Sequence, residues 1–323
     1  MPETEYTYAV ARIRSKELNL LTSQTVEQLL AAKSYDECIR ILTEKGWGSS
    51  EKQGTADSIL TYENNATWDL ISELVDDMSV FDVFLYANDY HNLKAAIKLV
   101  CTNSSAEGAF IKHGTVDYET IYKAVKENQL DLLPESMREV ENEAFKALLH
   151  TGDGQLCDVI VDKAALDAIY AAGNASKNDL IKEYAELTVA AADIKTAVRC
   201  QKTGKKIDFI ERALAKCNSL DINILAKAAA GGIDEIYTYL DYTVYSDAVQ
   251  ALKQSPSAFE RWCDNLIIWH IRPQKYNPFT VGPLAAYILA RENEIKTVRV
   301  ILSGKLNGLP ESTIRERMRE MYV

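Results

Sequence analysis

The sequence predicts an all-α protein, and three observations carry that prediction. The chain has 323 residues but only 14 Gly and 7 Pro, so few breakers interrupt it. The intervening segments are rich in Ala, Leu, Glu and Lys, which are strong helix formers. Apolar residues also recur at three- and four-residue intervals. The clearest case is Asn277 to Pro310, where Leu284, Ile288, Ile295, Val298 and Leu302 fall along one helical face.

With 47% hydrophobic and 26% charged residues, the chain has the composition of a packed globular protein. Its length exceeds what a single core supports, so two or three domains are expected. The formal charge of -11 opposes nucleic acid or an anionic lipid surface as the main partner, because both select a basic footprint. A basic protein surface fits better. Residues 291–320 depart from this balance, with seven basic against five acidic side chains.

Taken in order, the first helix is expected from Tyr6 to about Leu21, with Tyr6, Val10, Ile13 and Leu20 as its apolar stripe. A second, Thr25 to Ala32, follows a Thr22-Ser23 cap, and a third starts at Ser34-Tyr35-Asp36-Glu37 and ends near Gly46-Trp47-Gly48. The polar stretch up to about Ala56 reads as a mobile loop. Helical patterning resumes over Ile59 to Met78 and Val80 to Val100. Gly152-Asp153-Gly154 and Gly204-Lys205 read as turns or helix stops. Ala258, Trp262, Leu266 and Trp269 follow helical spacing, which favours core packing over an interface role for these aromatics. Arg272-Pro273 through Asn277-Pro278 is a proline-stiffened connection into the last long helix. That helix opens at Gly282-Pro283 and stops at Gly304 and Gly308-Leu309-Pro310.

An internal repeat organises these segments. Asn92-Leu93-Lys94-Ala95, Asp193-Ile194-Lys195-Thr196 and Glu294-Ile295-Lys296-Thr297 share one pattern, at equal separations of about a hundred residues. Three helical domains are therefore expected: 1–105, 106–207 and 208–323, with polar loops at Thr102 to Gly108 and Gln201 to Lys206 as boundaries. Three related units imply a pseudo-threefold or stacked arrangement with a broad binding surface.

Catalytic chemistry finds no foothold. Lys202-Thr203-Gly204-Lys205 and Ser303-Gly304-Lys305 lack the upstream glycine of a phosphate loop. The four histidines and six cysteines show no metal-ligand spacing. No catalytic, cofactor-binding or metal-binding residue is assigned, and no direct small-molecule substrate is expected. Widely scattered cysteines and an acidic opening, Met1-Pro2-Glu3-Thr4-Glu5, point to reduced thiols and no signal peptide. The runs Leu266 to Ile271 and Val281 to Ala290 are too short to span a bilayer.

Asn277-Pro278-Phe279, Gly282-Pro283-Leu284, Tyr287, Ala290-Arg291-Glu292-Asn293-Glu294-Ile295-Lys296, Val298-Arg299 and Gly304-Lys305 to Gly308 resemble the C-terminal signature of the C subunit of prokaryotic V-type (A-type) rotary ATPases. The eukaryotic counterpart is the d subunit. Tyr8-Ala9-Val10-Ala11-Arg12-Ile13-Arg14 with Leu20-Leu21 is similar to the start of that family. The resemblance implies an all-helical funnel of three similar domains, peripheral to the membrane on its cytoplasmic side. It implies a non-catalytic central-stalk role, with the central shaft subunits and the membrane rotor ring as partners. Proton or sodium selection, and the direction of ATP turnover, would belong to other subunits. A generic helical-repeat scaffold for protein binding is the alternative.

The charged part of the last long helix reads as a solvated face unless a partner covers it. Arg291, Glu294, Lys296 and Arg299 are the candidate contact residues, either between helices of this chain or between subunits. Charge reversal at Arg291 and Arg299 is the corresponding probe of assembly.

Overall fold

The computed structural model describes residues 6–48, 55–104 and 108–323. Every regular element among the described residues is a helix and none is a strand, so the fold is all-α.

Helices α1 (Thr7–Glu17), α2 (Ser23–Ala31), α3 (Tyr35–Glu44) and α4 (Ala56–Leu74) come first. The side chain of Thr22 caps α2 by accepting from Thr25 N at 3.2 Å, and Ser34 caps α3 through Glu37 N at 3.2 Å. These are the caps that the sequence marks. Helix α1 ends before Leu21, because the Leu21 amide leaves the helix to donate to Glu294. Most of the loop expected to be mobile, residues 49–54, lies outside the described residues.

The helix expected from Val80 divides into a 3-10 segment, Met78–Phe84, and α5 (Tyr86–Thr102). In the 3-10 segment Phe81, Val83 and Phe84 are buried, and Phe84 meets Tyr184 edge-on with ring centroids 4.7 Å apart. Such packing overrides local propensity. Then come α6 (Tyr118–Lys126), α7 (Glu135–Thr151), α8 (Gly154–Ala175), α9 (Asp179–Lys202), α10 (Ile207–Ala213), α11 (Ile222–Gly231) and α12 (Ile233–Asp241). The chain closes with α13 (Ala248–Gln254), α14 (Pro256–Ile271), a 3-10 turn at Arg272–Tyr276, α15 (Gly282–Leu306) and α16 (Glu311–Arg315).

The helices gather into two compact units, Met1–Met78 with Asp247–Val323, and Ser79–Ser246. The boundaries expected near Ser105 and Ile207 both fall within the span of the second unit. A compact unit can contain more than one copy of a repeat, so the two divisions describe different properties.

In the unit that joins the chain ends, α1, α4 and α14 pack against α15. The first ten residues of α15, Gly282 to Arg291, are all buried. The single apolar seam expected of this helix is therefore too narrow: Gly282 to Ala290 is apolar on every side, and a helix of that kind is enclosed. The core continues through Leu29, Leu30, Leu42, Trp47, Ile59, Leu60, Ile301, Leu302 and Ile314. Burial of each such side chain contributes roughly 1.5–3 kcal/mol. Gly304 lies inside α15 and does not stop it. A Cβ there would come within 2.6 Å of Ile314 Cδ1, so its glycine serves the packing of α16. The stop is Gly308, at φ 64.

The aromatic segment of α14 is only partly core. Ala258, Phe259, Ile268 and Ile271 are buried, and Trp262 stacks on Phe259 at 5.7 Å. Trp269 is 41% exposed, and its indole N–H donates to Glu320 at 2.8 Å. The helix thus buries a face rotated from the one that the tryptophans mark.

In the second unit α8 packs against α5, α7 and α9. Its core takes Leu93 and Ile97 from α5, Ile121 and Val125 from α6, Met137 from α7, and Cys157 and Val161 from α8. Gly173 lets α8 approach α9, because a Cβ there would strike Ala185.

Candidate functional site

Helix α15 carries two kinds of charge. Arg291, Asn293 and Glu294 are 6%, 5% and 2% exposed, whereas Lys296 and Arg299 face solvent. The expectation of one solvated face is corrected for the first group. Helix α4 packs against this stretch of α15 and brings Glu63 and Thr67 with it.

The Arg291 guanidinium donates through Nη1 to Glu294 Oε2 at 2.5 Å, through Nη2 to Glu63, and through Nε to Thr67 Oγ1 at 3.4 Å. Its face lies over Trp47, 5.0 Å from the ring centroid. A planar fork with five donors suits this double carboxylate contact, and a lysine would not reproduce it. Both acids are themselves engaged. Glu63 Oε1 accepts from Gly48 N at 2.7 Å, and Glu294 Oε1 accepts from Leu21 N. One arginine thus ties α15 to α4, and through the two acids it fixes the chain at Leu21 and Gly48.

Two carboxylates surround one guanidinium, so the fully ionised cluster would hold one excess negative charge in a buried site. Burial therefore pushes Glu294 up to about 7, with the Glu63 charge adding to the rise while Arg291 and the Leu21 amide oppose it. Burial works against the charge on Arg291, but Glu294, Tyr287 and Glu63 outweigh it and hold the guanidinium above its ordinary value.

The outer pair behaves differently. Lys296 Nζ lies 3.3 Å from Asp264 Oδ1, and the same carboxylate accepts from Arg319 Nε at 2.5 Å. Arg299 stands 3.6 Å from Asp57, with both side chains well exposed. Contacts of that sort contribute roughly 0–1 kcal/mol. Arg291 is enclosed, so reversing its charge would disrupt the core; Arg299 is the side chain of the two that can probe assembly.

The three repeat copies place a buried polar group at the same position of three long helices. Asn92 on α5 and Asp193 on α9 are 0% exposed, and Glu294 on α15 is 2% exposed. Each holds a backbone amide elsewhere in its unit. Asn92 accepts from Ile111 N and donates to Ile111 O, both at 2.8 Å, Asp193 accepts from Ala215 N at 2.9 Å, and Glu294 accepts from Leu21 N. The repeat signal marked these positions without revealing this role. The partners Glu63, Thr67 and Trp47 carried no such signal, since only the fold joins residues more than two hundred positions apart.

The other reactive groups are quiet. All six cysteines are free thiols, and burial pushes Cys38, Cys157 and Cys217 up to about 11, which keeps them protonated. Among the described residues no cluster of His, Cys, Asp and Glu is arranged to hold a metal ion. No described helix is long and apolar enough to cross a membrane.

Comparison with known proteins gives these features a context. The family model described as ATP synthase (C/AC39) subunit matches residues 9–317. The C subunit of the V-type sodium ATPase of Enterococcus hirae is 22% identical over 317 residues, covering 96% of this chain and 97% of that protein. The C subunit of the A-type ATP synthase of Methanocaldococcus jannaschii is 23% identical, covering 96% and 85% respectively. Its counterpart in the V-type ATP synthase of Thermus thermophilus is 23% identical, covering 97% and 98%. With nearly its whole length matched, the chain belongs to the ATP synthase (C/AC39) subunit family.

Proposed function

We propose that this chain is the non-catalytic central-stalk subunit that links the rotating shaft of a V/A-type rotary ATPase to its membrane rotor ring. It would sit on the cytoplasmic side of the membrane, bound through protein contacts, and would couple ATP hydrolysis or synthesis to ion transport without a cofactor of its own. The observation that carries this reading is the family match over residues 9–317, shared with relatives named as the C subunits of V-type and A-type enzymes.

The build of α15 supports it. A part that transmits torque needs helices that do not slip past one another, and the Arg291 cluster locks α15 to α4 with directional, buried bonds. The exposed Lys296 and Arg299 remain the candidate contacts with other subunits. We also infer three repeat domains, 1–105, 106–207 and 208–323, supported by the recurring buried pegs Asn92, Asp193 and Glu294.

Isolation of the intact complex tests the reading. The chain is expected to co-purify with both the shaft subunits and the ring, and to cross-link to each. Recovery as a free monomer with affinity for neither would overturn it.

A further inference from the structure

We propose that the groove between α1 and residues 275–279 docks an acidic protein surface that presents a protruding apolar side chain. The inference rests on the function proposed above only for the source of that surface, another subunit of the same complex. Val10 and Ala11 of α1 form one wall, and Tyr276, Pro278 and Phe279 form the other. Tyr276 is 89% exposed and Phe279 44% exposed, both on the connection that leads into the buried start of α15.

The backbone that carries the rings is held by hydrogen bonds on both sides of Tyr276. Arg14 Nη2 donates to the carbonyls of Gln274 at 2.5 Å and Asn277 at 2.9 Å, and Arg14 Nη1 is itself fixed by Glu17 at 2.7 Å. Asn277 Nδ2 donates to Thr280 Oγ1 at 2.7 Å and to Gln274 Oε1 at 3.2 Å, and Asn277 Oδ1 accepts from Phe279 N at 3.3 Å. Pro273 and Pro278 restrict the remaining backbone freedom. Exposed aromatics on a backbone ordered in advance lose little conformational entropy on binding, which is the property of an interface anchor.

Charge selects the partner. The chain carries -11, yet Arg14 and Lys275 line this groove and Arg12 is exposed on the same helix, with Glu17 offsetting Arg14. Lys275 Nζ lies 4.7 Å from the Tyr322 ring centroid. An acidic surface would be steered here and repelled by most of the remaining chain. A concave site with one aromatic wall accepts a protruding side chain, and a bilayer surface offers none.

The test is photo-cross-linking in the purified complex, with p-benzoylphenylalanine in place of Tyr276. The expected product joins residue 276 to a segment of another subunit that is rich in Asp and Glu. A second arm uses Tyr276→Ser with Phe279→Ser, both surface changes; dissociation of the chain in a salt wash is expected to accelerate at least tenfold. Cross-links confined to residues 1–5 of the same chain or to lipid, no cross-link in a complex that retains the chain, or unchanged dissociation of the double variant would each overturn the inference while leaving the function standing. If the unmodified chain fails to co-purify, the function falls and the inference with it.

Discussion

Arg291→Met is expected to lower the unfolding free energy by about 3–5 kcal/mol, the usual cost of breaking a buried ion pair from one side. Methionine keeps much of the volume but leaves Glu63 and Glu294, which share the guanidinium, facing each other without a cation. Glu294, which burial already pushes up, would lose the cation that opposes the rise. The variant should accordingly lose more stability at pH 8 than at pH 5. Adding Glu63→Gln and Glu294→Gln should return a large part of the loss, because the amides of Gly48 and Leu21 keep an acceptor while the unpaired buried charges are removed. Urea unfolding followed by circular dichroism reads all three effects. A loss below about 1 kcal/mol for Arg291→Met would mean that the cluster does not hold α15 to α4.

The second large effect belongs to Asp193. Burial pushes its carboxyl up to about 7 from the usual 3.8, while the hydrogen bond from Ala215 opposes the rise only in part. Its Oδ2 has no hydrogen-bond partner among the described residues. Between about pH 4 and pH 7 the native state keeps this proton and the unfolded chain has released it. Stability therefore falls as pH rises through that window and levels off above it. The shift corresponds to about 4 kcal/mol in full. Asp193→Asn keeps an oxygen for the Ala215 amide and removes the titration. Relative to the unmodified chain it should gain about 3 kcal/mol between pH 5 and pH 8. A stability difference that stays constant across this range would show that Asp193 is ionised throughout. Asn92, the counterpart in the first repeat copy, already carries an amide and satisfies both its polar atoms on Ile111.

The fold class was legible because it rests on local properties. Sparse breakers, capping residues at Thr22 and Ser34, and apolar spacing over residues 284–302 act within a few positions of one another, and the helices begin where they direct. Helix α15 shows where that reading stops. Its charged stretch looks like any solvated face, and the Glu292 to Lys296 spacing invites an i,i+4 pair. In the structure Lys296 turns to Asp264, and Arg291 turns inward to Glu63. Those partners are distant in sequence, so no local rule could supply them. The signal that Arg291 is enclosed was nonetheless present: Gly282 to Ala290 is apolar around its whole circumference, which requires neighbours on all sides.

Repeat positions carried a different kind of information. The recurrence at Asn92, Asp193 and Glu294 marked a constraint shared by three helices without giving its nature. All three are buried groups that hold a backbone amide. An unpaired buried amide costs about 1–3 kcal/mol, which is a physical reason for a polar side chain at each of these positions. The exposed rings of Tyr276 and Phe279 are the converse case: the proline-stiffened connection was readable, but its role in presenting aromatics outward was not.

The most direct test of the account is reconstitution of the rotary complex with and without this chain, reading ATP hydrolysis and ATP-driven ion transport in the same vesicles. Without it, hydrolysis by the catalytic head should persist while ion transport is lost, and adding the purified chain back should restore transport. Undiminished transport in its absence would contradict the coupling role, and loss of the head's intrinsic hydrolysis would contradict the non-catalytic one.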